Sequence, residues 1–226
     1  MGLAERLSGL DEAIWGRMEP VDPECLAIVQ KLGEGFPPPE RLTCDHSCAR
    51  LYQAAARIGP EGLCVELGTW CGWTAAVMAS AGPTVLCVDT FRASDAYVEN
   101  DRQRMGFGTG RRGTLDRYAY HIGRLGLGRR IVAIQGLSDE IAAAMASDTA
   151  DLIFVDADHD QAAVEKDLKA WARVLKPGGV LCGDNFGIDG VSGAVNLLIR
   201  ETWNWPGVEA AGGGDGDQLW IVRKPL

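Results

Sequence analysis

From residue 60 onward the chain alternates short apolar runs with longer amphipathic stretches, and each run ends in an acidic or glycine-rich group. The runs are 63–67, 84–89, 130–134, 151–156 and 180–184, with helical periodicity at about 73–81, 114–126, 138–147 and 161–175 between them. A strand that is apolar throughout has to be covered on both faces, whereas a half-exposed strand alternates. The pattern therefore predicts an α/β fold with a doubly wound, mostly parallel sheet. A helix near 190–202 follows, then 208–211, a glycine-rich turn (Gly212–Gly216) and 218–222, which read as an antiparallel hairpin. With the hairpin the sheet has seven strands.

The 226 residues suit one such domain with an N-terminal extension. The boundary falls near residue 60, dividing a helical segment at 1–59 from a ligand-binding domain at 60–226. Helical stretches at 3–17, 22–33 and 44–58 precede the boundary, with Pro37-Pro38-Pro39 as a hard break. Thr43 or Asp45 is the candidate N-cap of the third, and Gly59-Pro60 its stop. This segment suits a lid or a dimer surface equally well.

Net charge is −9, from 22 Lys+Arg against 31 Asp+Glu, which argues against binding along a nucleic-acid backbone. No apolar run approaches the roughly 20 residues that span a bilayer, and the N-terminus is amphipathic rather than signal-like. The expectation is no membrane partner. Seven cysteines, an odd number, are scattered through the apparent core strands (Cys64, Cys87, Cys182), as expected of buried thiols in a reducing cytoplasm.

In sheets of this class ligands sit beyond the carboxyl ends of the strands. At the first strand end, Glu66-Leu67-Gly68-Thr69-Trp70-Cys71-Gly72-Trp73-Thr74 places an acid and two glycines between strand and helix. Gly68 and Gly72 let the backbone bend tightly and approach a ligand. Their G-x-x-x-G spacing is not the dinucleotide fingerprint, which counts against a nicotinamide dehydrogenase. Glu66 suits a cationic group, and Asp89, ending the next strand, suits the two hydroxyls of a ribose. A nucleoside with an amino group fits both. On two later strands that are expected to be adjacent, Asp156, Asp184 and Asn185 converge as two carboxylates and an amide oxygen. Such an all-oxygen set suits Mg²⁺ or another divalent cation.

The stretch from Glu66 to Thr74 resembles motif I of class I S-adenosylmethionine-dependent methyltransferases, in particular the loop of catechol O-methyltransferase. The resemblance covers about residues 60–225 and implies a Rossmann-like methyltransferase fold. It implies S-adenosylmethionine as cofactor, with Glu66, Gly68, Trp70 and Thr74 at its methionine end and Asp89 on its ribose. Gly136-Leu137-Ser138-Asp139 is similar to the adenine-side loop, which brings in Ser138 and Asp139. Asp156 with Asp184-Asn185 resembles the divalent-metal site of catechol and caffeoyl-coenzyme A O-methyltransferases. The stretch on to Gly190-Val191-Ser192-Gly193-Ala194-Val195 is similar to bacterial enzymes acting on sugars and antibiotic scaffolds. The implied activity is metal-dependent O-methylation of a small hydroxylated molecule such as a phenol, a sugar or a natural product. Asp156 stands where it also meets the cofactor. His159 stands where the catechol enzyme has a lysine and some sugar methyltransferases a histidine, and an imidazole near 6.5 suits a general base.

A metal-independent N- or C-methyltransferase is the rival enzyme, and a silent nucleoside-binding subunit is a third reading. Cys44-Asp45-His46-Ser47-Cys48 matches no zinc spacing and reads as a helix start. Trp171, Trp203, Trp205 and Trp220 read as core. Arg102, Arg104, Arg111 and Arg112, flanking the glycine-rich stretch at 106–113, read as a solvated loop, with a lid at 91–113 as the functional alternative.

Overall fold

The structure is a computed structural model, and it describes residues 20–37, 40–92, 112–210 and 218–226. The helix expected at 3–17, Arg102, Arg104 and Arg111, almost all of the 91–113 lid, and the turn at 212–216 lie outside the described residues, as does the side chain of Arg112.

Two helices, α1 (Pro23–Gly33) and α2 (Asp45–Ile58), precede the first strand. The chain then runs β1 (Leu63–Leu67), α3 (Trp73–Ser80), β2 (Thr84–Asp89), α4 (Arg112–Arg124), β3 (Ile131–Gln135), α5 (Ser138–Ala144) and β4 (Ala150–Val155). It continues through α6 (Gln161–Trp171), β5 (Leu175–Gly183), α7 (Asp189–Val195), a π-helix (Asn196–Thr202), β6 (Glu209–Ala210) and β7 (Trp220–Arg223). The sheet order is β3-β2-β1-β4-β5-β7-β6. β1 to β5 pair in parallel, and β7 pairs antiparallel with both β5 and β6. The expected doubly wound sheet with its C-terminal hairpin is the fold the chain adopts.

Alternation along each strand sorts the core into two layers. Cys64, Val85, Cys87, Leu152, Phe154, Val180 and Cys182 face one side and pack with residues of α1, α2 and α3. Val65, Leu67, Leu86, Val88, Ile153, Val155 and Leu181 face the other and pack with residues of α5, α6 and α7. Trp171 and Trp220 are fully buried in this second layer, while Trp203 and Trp205 are partly buried and pack on each other at 5.1 Å. Strand β3 departs from full coverage. It lies at the sheet edge with Val132 half exposed, so the edge strand is solvated where the inner strands are not.

Local chemistry explains some element boundaries and tertiary contacts others. Asp22 caps α1 by accepting from the Glu24 amide at 2.8 Å, with Pro23 in the first turn. At α2 neither expected cap is used. Cys44 is the N-cap, its sulfur accepting from the Ser47 amide at 3.4 Å. Asp45 is already helical, and the Thr43 carbonyl accepts from the Trp73 indole at 3.3 Å. Gly59, at φ +77°, ends α2 as expected. Strand β5 starts at Leu175 rather than near 180, because a register shift lets Lys176–Gly179 bulge between the Ala150↔Leu175 and Leu152↔Val180 pairs. The single helix expected at 190–202 is divided, its second half being a π-helix that keeps Leu198 and Ile199 buried. Six of the seven cysteines are buried, Cys44 is partly exposed, and all are free thiols. No helix among the described residues is long and apolar enough to cross a membrane.

Candidate active site

Strand order reverses at β1, which lies between β2 and β4, so the loops after these strands open onto a common crevice. The loop after β1 is shaped by three left-handed residues: Gly68 (φ +82°), Trp70 (φ +47°) and Gly72 (φ +86°). Left-handed non-glycine residues also follow β2 (Phe91, φ +49°) and β5 (Asn185, φ +60°). Such conformations persist only where surrounding contacts impose them, and they concentrate at ligand sites.

Those contacts are visible. Asp89 Oδ2 accepts from the amides of Thr69 at 2.8 Å and Trp70 at 2.9 Å, and Oδ1 accepts from the Phe91 amide at 2.6 Å. The carboxylate at the β2 tip thus pins the loop of β1. It remains partly exposed, with lone-pair capacity for a ligand hydroxyl.

Glu66 turns inward. It is fully buried, accepts hydrogen bonds from the Thr69 and Thr74 hydroxyls, and takes the Cys87 thiol at 3.6 Å. In this arrangement it braces the loop from beneath, with Thr74 tied to it. Burial pushes its carboxyl up to about 7, the threonine hydroxyls work against that shift, and the Asp156 charge adds to it. Because this lies above the ordinary 4.5, the native state holds the proton more tightly than the unfolded chain. Stability contributed by protonated Glu66 is therefore full below pH 4.5 and lost as pH rises through about 7. The loss amounts to about 3 kcal/mol. Glu66→Gln, which stays neutral, should flatten that fall. Urea unfolding at about pH 5 and about pH 8 measures it, and an unaltered pH slope in the variant would refute the assignment.

Gly68 is required by the backbone that crosses it. A Cβ there would sit 2.3 Å from the Asp156 carbonyl oxygen and 2.5 Å from the Ala157 Cα. The two strand-end loops cross at van der Waals distance, and the positive φ adds strain for any side chain. Gly68→Val should lower stability by about 3 kcal/mol, or about 10 °C in Tm, in thermal denaturation. A shift under about 2 °C would contradict the crossing. At Gly72 the neighbour is Tyr118 of α4, whose ring would lie 2.8 Å from a Cβ at that position.

The second half of the crevice lies at β4 and β5. The Asp156 amide donates to the Leu67 carbonyl at 2.9 Å, and the Asp184 amide to the Val155 carbonyl at 3.4 Å, so the two acids extend neighbouring strands. Asp184 is buried, and its Oδ1 accepts from the Asn185 amide at 2.9 Å. Burial pushes the Asp156 carboxyl up to about 7, the nearby His159 counteracts, and the Asp184 charge raises it further. His159 Nε2 lies 3.8 Å from Asp156 Oδ1, and this approach raises the imidazole above its ordinary 6.5. More of it carries a proton at neutral pH than an unperturbed histidine would. Gly190, at the start of α7, packs on the His159 carbonyl, where a Cβ would come within 2.2 Å.

Among the described residues no group of three or more His, Cys, Asp and Glu side chains is gathered as a metal site. The available hard-oxygen set is two carboxylates and one amide. Ser138 and Asp139, at the start of α5, are both tied to α6. The Ser138 hydroxyl accepts from the Trp171 indole at 2.7 Å, and Asp139 pairs with Lys166 at 3.0 Å, so both bind α5 to α6. Thr69, Cys87 and Tyr118 are parts of the site that sequence reasoning misses. Thr69 lies inside the strand-end loop and could have been found there, whereas Cys87 and Tyr118 carry no signal beyond apolar patterning.

A family model described as a methyltransferase domain matches residues 65–186. Among solved structures, the O-methyltransferase TomG from Streptomyces achromogenes, involved in tomaymycin synthesis and solved with SAM, is 15% identical. The match covers 99% of this chain and 100% of that one, at a TM-score of 0.58. An O-methyltransferase from Bacillus cereus in complex with SAH is 20% identical over 98% of this chain and 100% of that one, at 0.57. A methyltransferase from Geobacter sulfurreducens is 18% identical over 92% of each, at 0.58. At these identities the structures share the fold. The family match spans more than half of the chain, including both strand-end loops and the Asp156 and Asp184 positions, and on that ground the chain belongs to the methyltransferase-domain family.

Proposed function

We propose that the protein is an S-adenosylmethionine-dependent O-methyltransferase that acts, with a divalent cation, on a hydroxyl of a small molecule. The observation that carries the metal reading is the placement of Asp156 and Asp184 at the ends of paired strands, with Asn185 held left-handed beside them. An acid pushed toward neutrality by burial and by a second acid beside it suits a site completed by a cation. The two carboxylates with the Asn185 amide oxygen suit Mg²⁺. When bound, the cation would supply positive charge that acidifies an acceptor hydroxyl. The cofactor would supply the methyl group to be transferred.

The chain's own residues do the positioning. Asp89 offers its remaining lone pair to a ribose hydroxyl, and Gly68, Trp70 and Gly72 present backbone toward the methionine end. Glu66 and Thr74 hold that loop from beneath. Asp156 and Asp184 orient the acceptor side, and His159, beside Asp156, is placed to take the hydroxyl proton. Support for the cofactor comes from the family and from the SAM- and SAH-bound structures of the same fold.

Calorimetry tests the cofactor directly. Micromolar S-adenosylhomocysteine binding, about −8 kcal/mol, is expected. Tight NAD binding without S-adenosylhomocysteine binding would overturn the reading. Methyl transfer that persists in EDTA would move the protein to the metal-independent class.

A further inference from the structure

Beside the loop that follows β1, an ionic bridge joins the segment before α2 to α4. Glu40 is 2% exposed, and its two oxygens meet Arg117 Nη1 and His121 Nε2. Arg117 and His121 are four residues apart and so share one helical face. The His121 ring stacks on Phe36 at 4.3 Å, and its Nδ1 is buried without a partner among the described residues. The bridge is therefore the polar tie that offsets the burial of that ring.

What the tie holds is the cofactor loop. Phe36 packs on Trp73 at 5.1 Å, Arg41 lies over the Trp73 ring at 5.7 Å, and the Thr43 carbonyl accepts its indole N–H. Trp73 begins α3 directly after Gly72. From the other side, Tyr118 of α4 fills the space above Gly72 and meets Phe91 edge-on at 5.4 Å. The Phe91 amide in turn donates to Asp89. The segment carrying Phe36, Arg41 and Thr43 and the helix α4 thus grip the loop at both ends, and they are joined by the Glu40 bridge, by the Phe36–His121 stack and by the Arg124 guanidinium on the Gly35 carbonyl. The nearby Cys71 thiol is pushed up to about 12, by burial first and then by the Glu40 carboxylate, which places that charge within reach of the loop.

We propose that Glu40 is a positioning residue for cofactor binding: its bridge to Arg117 and His121 holds α4 and the segment before α2 closed around the Trp70–Trp73 turn. The inference rests on the cofactor reading above. Without the bridge the turn populates open conformations, and apparent affinity falls with the competent fraction.

The test compares the full-length protein with Glu40→Ala, Glu40→Gln and Arg117→Met, using S-adenosylhomocysteine calorimetry and amide hydrogen exchange. Glu40→Ala should bind about tenfold to a hundredfold more weakly. It should also exchange faster at Thr69–Trp73, while β4 and β5 stay as protected as in the parent. Glu40→Gln keeps an acceptor oxygen for Arg117 but can meet His121 Nε2 only as a donor, so it should recover part of the affinity and bind better than Glu40→Ala. If Glu40→Ala does not fold, Arg117→Met carries the test, with an expected loss of about threefold to tenfold confined to the same amides. Unchanged binding and exchange, a glutamine as damaging as alanine, or loosening spread over the whole sheet would each overturn the proposal. A parent protein that binds no S-adenosylhomocysteine would refute the cofactor reading, and the exchange comparison would still decide the clamp.

Discussion

Asp184→Ala should weaken binding of Mn²⁺, used as a paramagnetic probe, by at least about 100-fold. Asp184 is buried at the end of β5 beside Asp156, and its Oδ1 orients Asn185 through the backbone amide. Removing it deletes one carboxylate and loosens the left-handed turn that presents another donor. Asn185→Ala should cost about tenfold, because an amide oxygen is a neutral ligand. Cofactor affinity should stay within about twofold in both variants, since Asp89 and the Gly68–Gly72 loop are untouched. Electron paramagnetic resonance gives the metal affinity, and calorimetry with S-adenosylhomocysteine gives the control. Equal Mn²⁺ binding by parent and Asp184→Ala would remove the metal from this site.

His159→Ala should lower kcat by about 10²–10⁴ with any hydroxylated acceptor that supports turnover, the range for losing a general base. The imidazole is about three-quarters buried, with its Nε2 toward Asp156 and its carbonyl packed under α7, so its position is set from two sides. The same carboxylate raises it, which strengthens it as a proton acceptor once deprotonated. Affinity for S-adenosylhomocysteine should not change, because the contacts that set His159 run to Asp156 and α7 rather than to the β1 loop. A variant with near-normal kcat would leave acidification by the cation as the sole activation of the hydroxyl.

Legibility in the sequence follows the range of the interactions. β1 and β2 begin and end where the residues alone place them, since a strand buried on both faces reads as a mainly apolar run without alternation. The start of β5 is not legible, because Lys176-Pro177-Gly178-Gly179 looks like a turn and only pairing with β4 turns it into a bulge. Nor is the cap of α2, because the Thr43 carbonyl is claimed by Trp73, 30 residues away.

The site divides in the same way. Positions at strand ends are legible, because the topology of a parallel sheet carries Gly68, Asp89, Asp156, Asp184 and Asn185 to one edge whatever their side chains do. The direction of a side chain is not legible. Glu66 belongs to the right strand and the right motif, yet its carboxylate faces the threonines beneath the loop. Ser138 and Asp139 open α5 as expected but bond to Trp171 and Lys166 of α6.

By itself the sequence determined the strands, their layering and the edge at which chemistry-bearing residues gather, because periodicity and strand-end composition are local properties. Tertiary structure alone decided which acids face the crevice and which brace it. It also decided that Gly68 is required by the backbone of Ala157, and that Glu40 closes on residues 77 and 81 positions later. Those outcomes depend on which distant groups compete for a buried oxygen or a few ångströms of space, and no window of sequence contains both competitors.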